Sequence, residues 1–275
     1  MAEIEIIDLT PGNISDYGVC GYKDIEKNEG LKNKIAWFKK YYKKGLRIKA
    51  VISQEGECQG TIEYLPGKYA HRPVDADRYM FIQCVFSGYQ KEFKGKGYGS
   101  RLIDECLKDA RIGRFQGVAV VTRKGPFMVH NSIFLKKGFR IVEAMDPDFE
   151  LLALKFEEGA EDPKFRKIAV NEEEYGKGLT ILRSAQCPYS VKNVNAILET
   201  ARGKMKIRAE LIDLKDAISV QNVPCGFGTF CIIYDGEVIS HHPISRTRFE
   251  NLMKNRFPDE CPPKDSTPRS GRRSG

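Results

Sequence analysis

The sequence predicts an α/β protein (α+β in the arrangement of its parts) with two domains, a mixed sheet with helices on its faces followed by a smaller unit. Three observations carry this. Apolar runs of period two alternate with runs of helical period over residues 1–157. An acid-rich break, EEGAEDPKFRK, then interrupts the pattern, and a second alternation starts near residue 173. A length of 275 residues exceeds the usual single domain. The expected boundaries are 1–157 for the first domain, 158–172 for a linker and 173–257 for the second domain. Residues 258–275, without periodicity and rich in Pro, Ser and Arg, are expected to form a disordered basic tail.

Each element has a local reason. EIEIIDL alternates like a strand, and LKNKIAWFKKYYKK places Leu31, Ile35, Phe38, Tyr41 and Tyr42 on one helical stripe that Gly45 ends. Such a stripe, Trp37 included, is the core face of a helix before it is a pocket wall. LRIKAVIS and CQGTIEYL are strands around the turn residues QEGE, and DRYMFIQCVF reads as a central strand buried on both faces. A helix is expected from about Gly99 to Ile112, with Leu102, Ile103, Cys106, Leu107 and Ala110 on one side. GVAVVT is a buried strand, HNSIFLKKG a short helix closed by Gly138, and FRIVEAM and FELLALKF two further strands. The second half gives the strand LTILRSA, a helix from about Ser190 to Arg202, the strand KIRAELIDL and a brief helix KDAIS. TFCIIYDGEVISHH is a hairpin turning at Asp235 and Gly236, and RTRFENLMKNRF a closing helix.

Composition excludes several classes. No window approaches the roughly 18 consecutive apolar residues of a membrane span, and MAEIEIIDLT lacks the basic-then-apolar order of a secretory signal. A cytoplasmic protein is expected. Eight cysteines without a C-x-x-C pair argue against a zinc site or disulfide scaffold, so no metal is expected. The net charge of +8 suits an anionic partner. Its lysines cluster near residues 32–49 and around the glycine stretch, beside acidic segments, which favours a small polyanion over nucleic acid.

The stretch KEFKGKGYGSRLID places Gly95, Gly97 and Gly99 directly before a helix. A helix start leaves several N–H groups without partners at the positive end of the dipole, and glycines let backbone curl around phosphate oxygens without Cβ collisions. Lys94 and Lys96 add positive charge. G-x-x-x-x-G-K-[ST] is absent, which disfavours a nucleoside-triphosphate loop.

FKGKGYGSRLI after an apolar strand resembles the acetyl-CoA loop of the GNAT superfamily of N-acetyltransferases, [QR]-x-x-G-x-[GA], with Lys94, Gly97 and Gly99 at its first, fourth and sixth positions. HNSIFLKKGF resembles that superfamily's helix with Asn near its start and Gly-Phe at its end. The resemblance implies that the strands MFIQCVF and GVAVVT splay into a wedge that takes the pantetheine arm. It also implies that Cys84, Val85 and Phe86 hold the arm and polarise the acetyl carbonyl. On the same resemblance Gly95, Lys96, Gly97, Tyr98, Gly99 and Ser100 would bind the pyrophosphate, and Asn131 would contact acetyl-CoA near its sulfur. Where the superfamily frequently has a tyrosine, this chain has Phe134, which cannot donate a proton. Ser132 and His130 are helix-start residues, more naturally caps than acids. The base candidate is Glu63 in TIEYLPG, on a central strand facing the wedge, where burial would raise its pKa, the alternatives being that it binds the amine or makes a structural pair; His71 is a weaker base candidate that could instead line the substrate mouth.

LTILRSAQCPYS sets Cys187 between a strand and a helix start, a place that lowers a thiol's pKa. The turn resembles the active turn of thioredoxin-like folds, with Ser190 in place of a second cysteine. Pro224 is the candidate for that fold's cis-proline, though Gly228 lies nearer its usual position, and Cys225 could approach Cys187. A GNAT domain followed by this module resembles the YoaP-like acetyltransferases. The expected function is acetyl transfer from acetyl-CoA to a primary amine, a small molecule or aminoacyl compound, with Glu63 and Cys187 as catalytic candidates. The alternatives are a monothiol oxidoreductase or thiol-binding protein acting through Cys187 beside an acyl-CoA-sensing domain, and a nucleic-acid binder. Oligomeric state has no readable signal.

Overall fold

The computed structural model describes residues 4–22 and 24–257; the expected tail and Cys261 lie outside them. The chain runs β1 (Ile4–Leu9), α1 (Ile14–Tyr17), α2 (Glu29–Tyr42), β2 (Arg47–Ser53), β3 (Cys58–Pro66), β4 (Val74–Asp75), β5 (Tyr79–Ser87), α3 (Tyr98–Ile112), β6 (Gly117–Arg123), α4 (Ser132–Leu135), β7 (Arg140–Met145) and β8 (Phe149–Lys155). It continues as β9 (Lys164–Phe165), α5 (Glu172–Tyr175), β10 (Leu179–Ser184), α6 (Val194–Glu199), β11 (Ala209–Leu214), α7 (Ala217–Gln221), β12 (Phe230–Tyr234), β13 (Glu237–Ser240) and α8 (Arg246–Arg256).

One seven-stranded sheet has the order β1-β2-β3-β5-β6-β8-β7. Its neighbours are antiparallel except β5 and β6, which run parallel and pair over Tyr79–Ile82 against Gly117–Val120. Gln83–Ser87 and Val121–Arg123 continue without a mutual ladder, so the sheet opens into the expected wedge at the C-terminal half of β5. At the same height the β3–β5 register shifts, with Glu63 opposite Cys84 but Tyr64 opposite Ile82, and the skipped Gln83 forms a bulge. A bulge re-aims the side chains that follow it.

Each sheet face carries its own apolar cluster. One face packs Val51, Ile62, Ile82 and Val120 against Leu102, Ile103 and Cys106 of α3 and Phe134 of α4. The other packs Ile48, Ala50, Phe81 and Val121 against Leu31, Ile35 and Phe38 of α2, and this cluster continues without a break into Ile181, Phe230 and Phe249 of the second unit. Trp37, Phe38 and Tyr41 are buried, as the core reading of the stripe expects.

The second unit is a four-stranded sheet ordered β11-β10-β12-β13, with β10 and β11 parallel and the remaining neighbours antiparallel. The turn at Asp235 and Gly236 has positive φ at both residues, 45° and 78°, as a tight hairpin requires. Two expectations need correction. The helix expected from Ser190 to Arg202 is broken: Pro188–Val191 form a single 3-10 turn, Asn193 takes the left-handed conformation at φ 68°, and α6 begins at Val194. Asn is among the few residues that adopt this conformation readily. The expected linker is tied to the first sheet, with β9 pairing to β4, Phe165 N donating to Glu143 and Tyr79 Oη donating to the Glu161 carbonyl.

Candidate active site

The glycine loop sits at the mouth of the wedge. Gly95 and Gly97 have φ of 69° and 79°, a region that L side chains rarely adopt, and a Cβ on either would meet nothing within 4 Å. Their left-handed turns face open space, and among the described residues the amides of Gly95, Gly97 and Gly99 have no hydrogen-bond acceptor. Gly97 caps α3, a helix of 15 residues, so the loop joins free N–H groups to a positive dipole end. A Cβ on Gly99 would lie 3.3 Å from Ser87 Oγ, which ties the loop to the end of β5. An anionic diphosphate fits this cradle.

Behind the loop lies a cavity of about 660 Å³ whose walls come from both units. Cys84, Val85 and Phe86 of β5 line it, as does Glu63 of β3. Glu63 is 1 % exposed. Its carboxylate contacts Lys34 Nζ of α2 at 2.6 Å and accepts from Gln186 Nε2 of the second unit at 2.9 Å. Burial pulls the Lys34 ammonium down, but the charge and hydrogen bond of Glu63 together with the neighbouring Cys20 and Cys84 outweigh it and the net shift is up. Lys34 Nζ also stands 4.4 Å from the Trp37 ring centroid. Sequence reasoning missed Lys34, although a signal existed: with Leu31, Ile35 and Phe38 it occupies the buried face of α2.

Arg72 was also missed, and nothing local marks it. It is 5 % exposed, lines the cavity, and donates from Nη1 to the His71 carbonyl at 2.9 Å and to Thr229 Oγ1 at 3.2 Å. Gly228 permits the approach, since a Cβ there would lie 2.9 Å from Arg72 Cα. Tyr89 is a second unforeseen wall residue beside Arg72, and burial pushes its phenol pKa far up.

His71 does not reach the mouth. Its Nε2 accepts from Trp37 Nε1 at 2.8 Å, its Nδ1 faces the Tyr69 carbonyl at 3.0 Å, and burial lowers its pKa to about 3. It is a neutral structural imidazole. Asn131 does not line the cavity; its Nδ2 donates to Glu150 at 2.7 Å. Phe134 is fully buried against Phe139. His130 Nδ1 accepts from Ser132 N at 3.2 Å, which is a cap contact.

Cys187 does line the cavity, but its expected activation is overturned. Burial pushes its thiol up, and the element that follows is a short 3-10 turn with little dipole to oppose this. Cys20 and Cys84, beside it in the cavity, are pushed up in the same way, Cys84 to about 12. All three are thiols at neutral pH. The turn itself is held tightly: a Cβ on Gly30 of α2 would lie 2.2 Å from the Pro188 carbonyl oxygen. Cys225 does not pair with Cys187. Its Sγ lies 3.2 Å from His241 Nδ1, and hydrogen bonds from Cys231 and His241 outweigh burial and hold this thiol low. The bond before Pro224 is trans, the cis bond among the described residues being Asp146-Pro147.

Comparison with known proteins agrees with the sequence resemblance. A family model described as YoaP-like matches residues 209–251. The chain is 29 % identical over 251 residues to the "Uncharacterized N-acetyltransferase YoaP" of Bacillus subtilis (strain 168), covering 90 % of this chain and 97 % of that protein. Solved structures similar to part of the chain include an N-acetyltransferase from Staphylococcus aureus Mu50, 12 % identical, covering 57 % of this chain and 100 % of that one with a TM-score of 0.42. A ribosomal-protein-alanine N-acetyltransferase from Brucella melitensis is 15 % identical, covering 55 % and 99 % with a TM-score of 0.39. Among the described residues no helix is long and apolar enough to cross a membrane.

Proposed function

We propose that this chain is an N-acetyltransferase that uses acetyl-CoA as co-substrate and acetylates a small primary amine in the wedge between β5 and β6. The observation that carries this is the left-handed glycine loop, with free amides at the head of α3, opening beside the splayed ends of those strands. Residues Gly95, Lys96, Gly97, Tyr98, Gly99 and Ser100 hold the diphosphate through backbone N–H groups, with Lys94 and Lys96 adding charge. Cys84, Val85 and Phe86, unpaired to β6, hold the pantetheine arm and polarise the acetyl carbonyl through their backbone. Acetyl-CoA, when bound, supplies an activated thioester.

Glu63 receives the amine. The amine's C–N bond forms as the thioester's C–S bond breaks, the nitrogen's proton passes to Glu63, and the leaving thiolate takes a proton from water. The Lys34 and Gln186 contacts hold the Glu63 carboxylate in position. The strand order β11-β10-β12-β13, with helices between β10 and β11 and between β11 and β12, supports reading the second unit as a thioredoxin-like accessory domain that closes the wedge rather than one that exchanges thiols. The test is calorimetric titration with acetyl-CoA together with thiol release from acetyl-CoA over a panel of amines. Micromolar binding and amine-dependent release are expected; absence of binding contradicts the reading.

A further inference from the structure

Four cationic side chains are buried among the described residues: Lys34, Lys49, Arg72 and Arg123. Three of them meet a carboxylate. Lys34 reaches Glu63 at 2.6 Å, Lys49 reaches Asp8 at 3.2 Å, and Arg123 reaches Asp148 at 2.8 Å. Arg72 meets none within ion-pair distance among the described residues, although it lines the cavity. Taking a charge out of water is costly unless it is paired. Neutral groups satisfy only part of this guanidinium: Nη1 donates to His71 O and Thr229 Oγ1, Nη2 has a long 3.5 Å contact to Gln83 O, and Nε has no partner among the described residues. Nε and Nη2 together form the edge that grips a carboxylate bidentately.

The surroundings narrow the ligand further. The cavity that contains Arg72 also contains Glu63, and apolar and aromatic groups such as Val85, Phe127 and Phe227 form much of the remaining wall. Glu63 is already matched by Lys34, so Arg72 is the charge left without a counter-charge in a largely apolar enclosure, which is complementary to a ligand that carries a carboxylate on an apolar body. Thr229 and Gly228 of the second unit fix Arg72 in this place, which gives the second unit a part in substrate recognition.

We infer that the acceptor is an amine that also carries a carboxylate, an amino acid with an apolar side chain, and that Arg72 receives the carboxylate while Glu63 faces the amine. This rests on the acetyltransferase reading of the same site.

The experiment uses the full chain and matched sets: alanine, leucine and phenylalanine, their carboxamides, and the corresponding decarboxylated amines. Thiol release from acetyl-CoA gives kcat/KM for each. Removing one partner of a buried charged pair costs at least about 2 kcal/mol, so the free acids should exceed the carboxamides and plain amines by about 30-fold or more. In Arg72→Gln the gap should shrink to a few-fold with acetyl-CoA affinity unchanged, the latter showing that the variant folds. Arg72→Lys, which keeps charge without the fork, should fall between. Equal or better use of carboxamides or plain amines by the wild type overturns the inference while leaving the acetyltransferase reading intact. If the wild type fails to bind acetyl-CoA, that reading fails, and calorimetric titration of the protein with the three amino acids decides the inference on its own: saturable binding lost in Arg72→Gln supports it, and no binding overturns it.

Discussion

The glycine loop and the enclosed end of the wedge are built on opposite plans. The loop is six consecutive residues, exposed over residues 95–97 and buried at Tyr98 and Gly99, whose proposed function lies in main-chain N–H groups and in the absence of side chains around Gly95 and Gly97. The wedge interior is a set of buried side chains drawn from α2, β3, the β3–β5 connection and the segments just after β10 and just before β12, among them Lys34, Glu63, Arg72, Gln186 and Thr229. In the proposed function the first plan binds the co-substrate and the second selects the acceptor, and the contacts that hold Glu63 and Arg72 come from residues far away in the chain.

That contrast makes the wedge interior the more fragile region. The largest effect is expected for Glu63→Gln, which removes the proton acceptor: kcat should fall by about 10²–10⁴-fold with acetyl-CoA affinity unchanged. A kcat within threefold of wild type would place the base elsewhere. Lys34→Met should lower stability by about 3–5 kcal/mol, because Glu63 is left as a buried, unpaired charge; denaturant melts measure this, and an unchanged midpoint would contradict the pairing.

A smaller effect concerns pH. His71 ordinarily titrates near 6.5 and is lowered to about 3 in the fold. The unfolded chain therefore binds a proton that the folded one does not, so this stabilisation is present above pH 6.5 and is lost as pH falls toward 3. The slope is at most about 1.4 kcal/mol per pH unit. Melts across that window should be flatter for His71→Gln, which still offers Trp37 an acceptor; an unchanged slope would mean that His71 titrates normally. The smallest effect is expected at Cys187. Cys187→Ser should keep most acetyl transfer, and the wild-type thiol should alkylate no faster than a free thiol at neutral pH. Faster alkylation would restore the redox alternative.

The same contrast explains what was legible in the sequence. The loop could be read because its chemistry is contiguous, and the sheet could be read because apolar periodicity is a local property; the β5–β6 opening followed from the resemblance attached to those motifs. Glu63 could be nominated as an acid in an apolar strand, but its Lys34 and Gln186 partners lie 29 residues before it and 123 after it, separations that only folding closes. Arg72 carries no local mark at all. The activated Cys187 failed because the argument assumed a regular helix after Pro188, whereas Asn193 breaks the chain there and burial then dominates the thiol.

The central claim, that free backbone amides of a left-handed glycine turn grip the coenzyme, is tested most directly by calorimetric titration of wild type and Gly97→Asp with acetyl-CoA. A Cβ at Gly97 meets no neighbouring atom within 4 Å and Asp is among the residues that enter the left-handed region at modest cost, so the variant should fold with a small loss of stability, while its side chain occupies the cradle and adds a repelling charge. An affinity loss of about 100-fold, or about 2.8 kcal/mol, is predicted. Equal affinity in the two proteins would contradict the account.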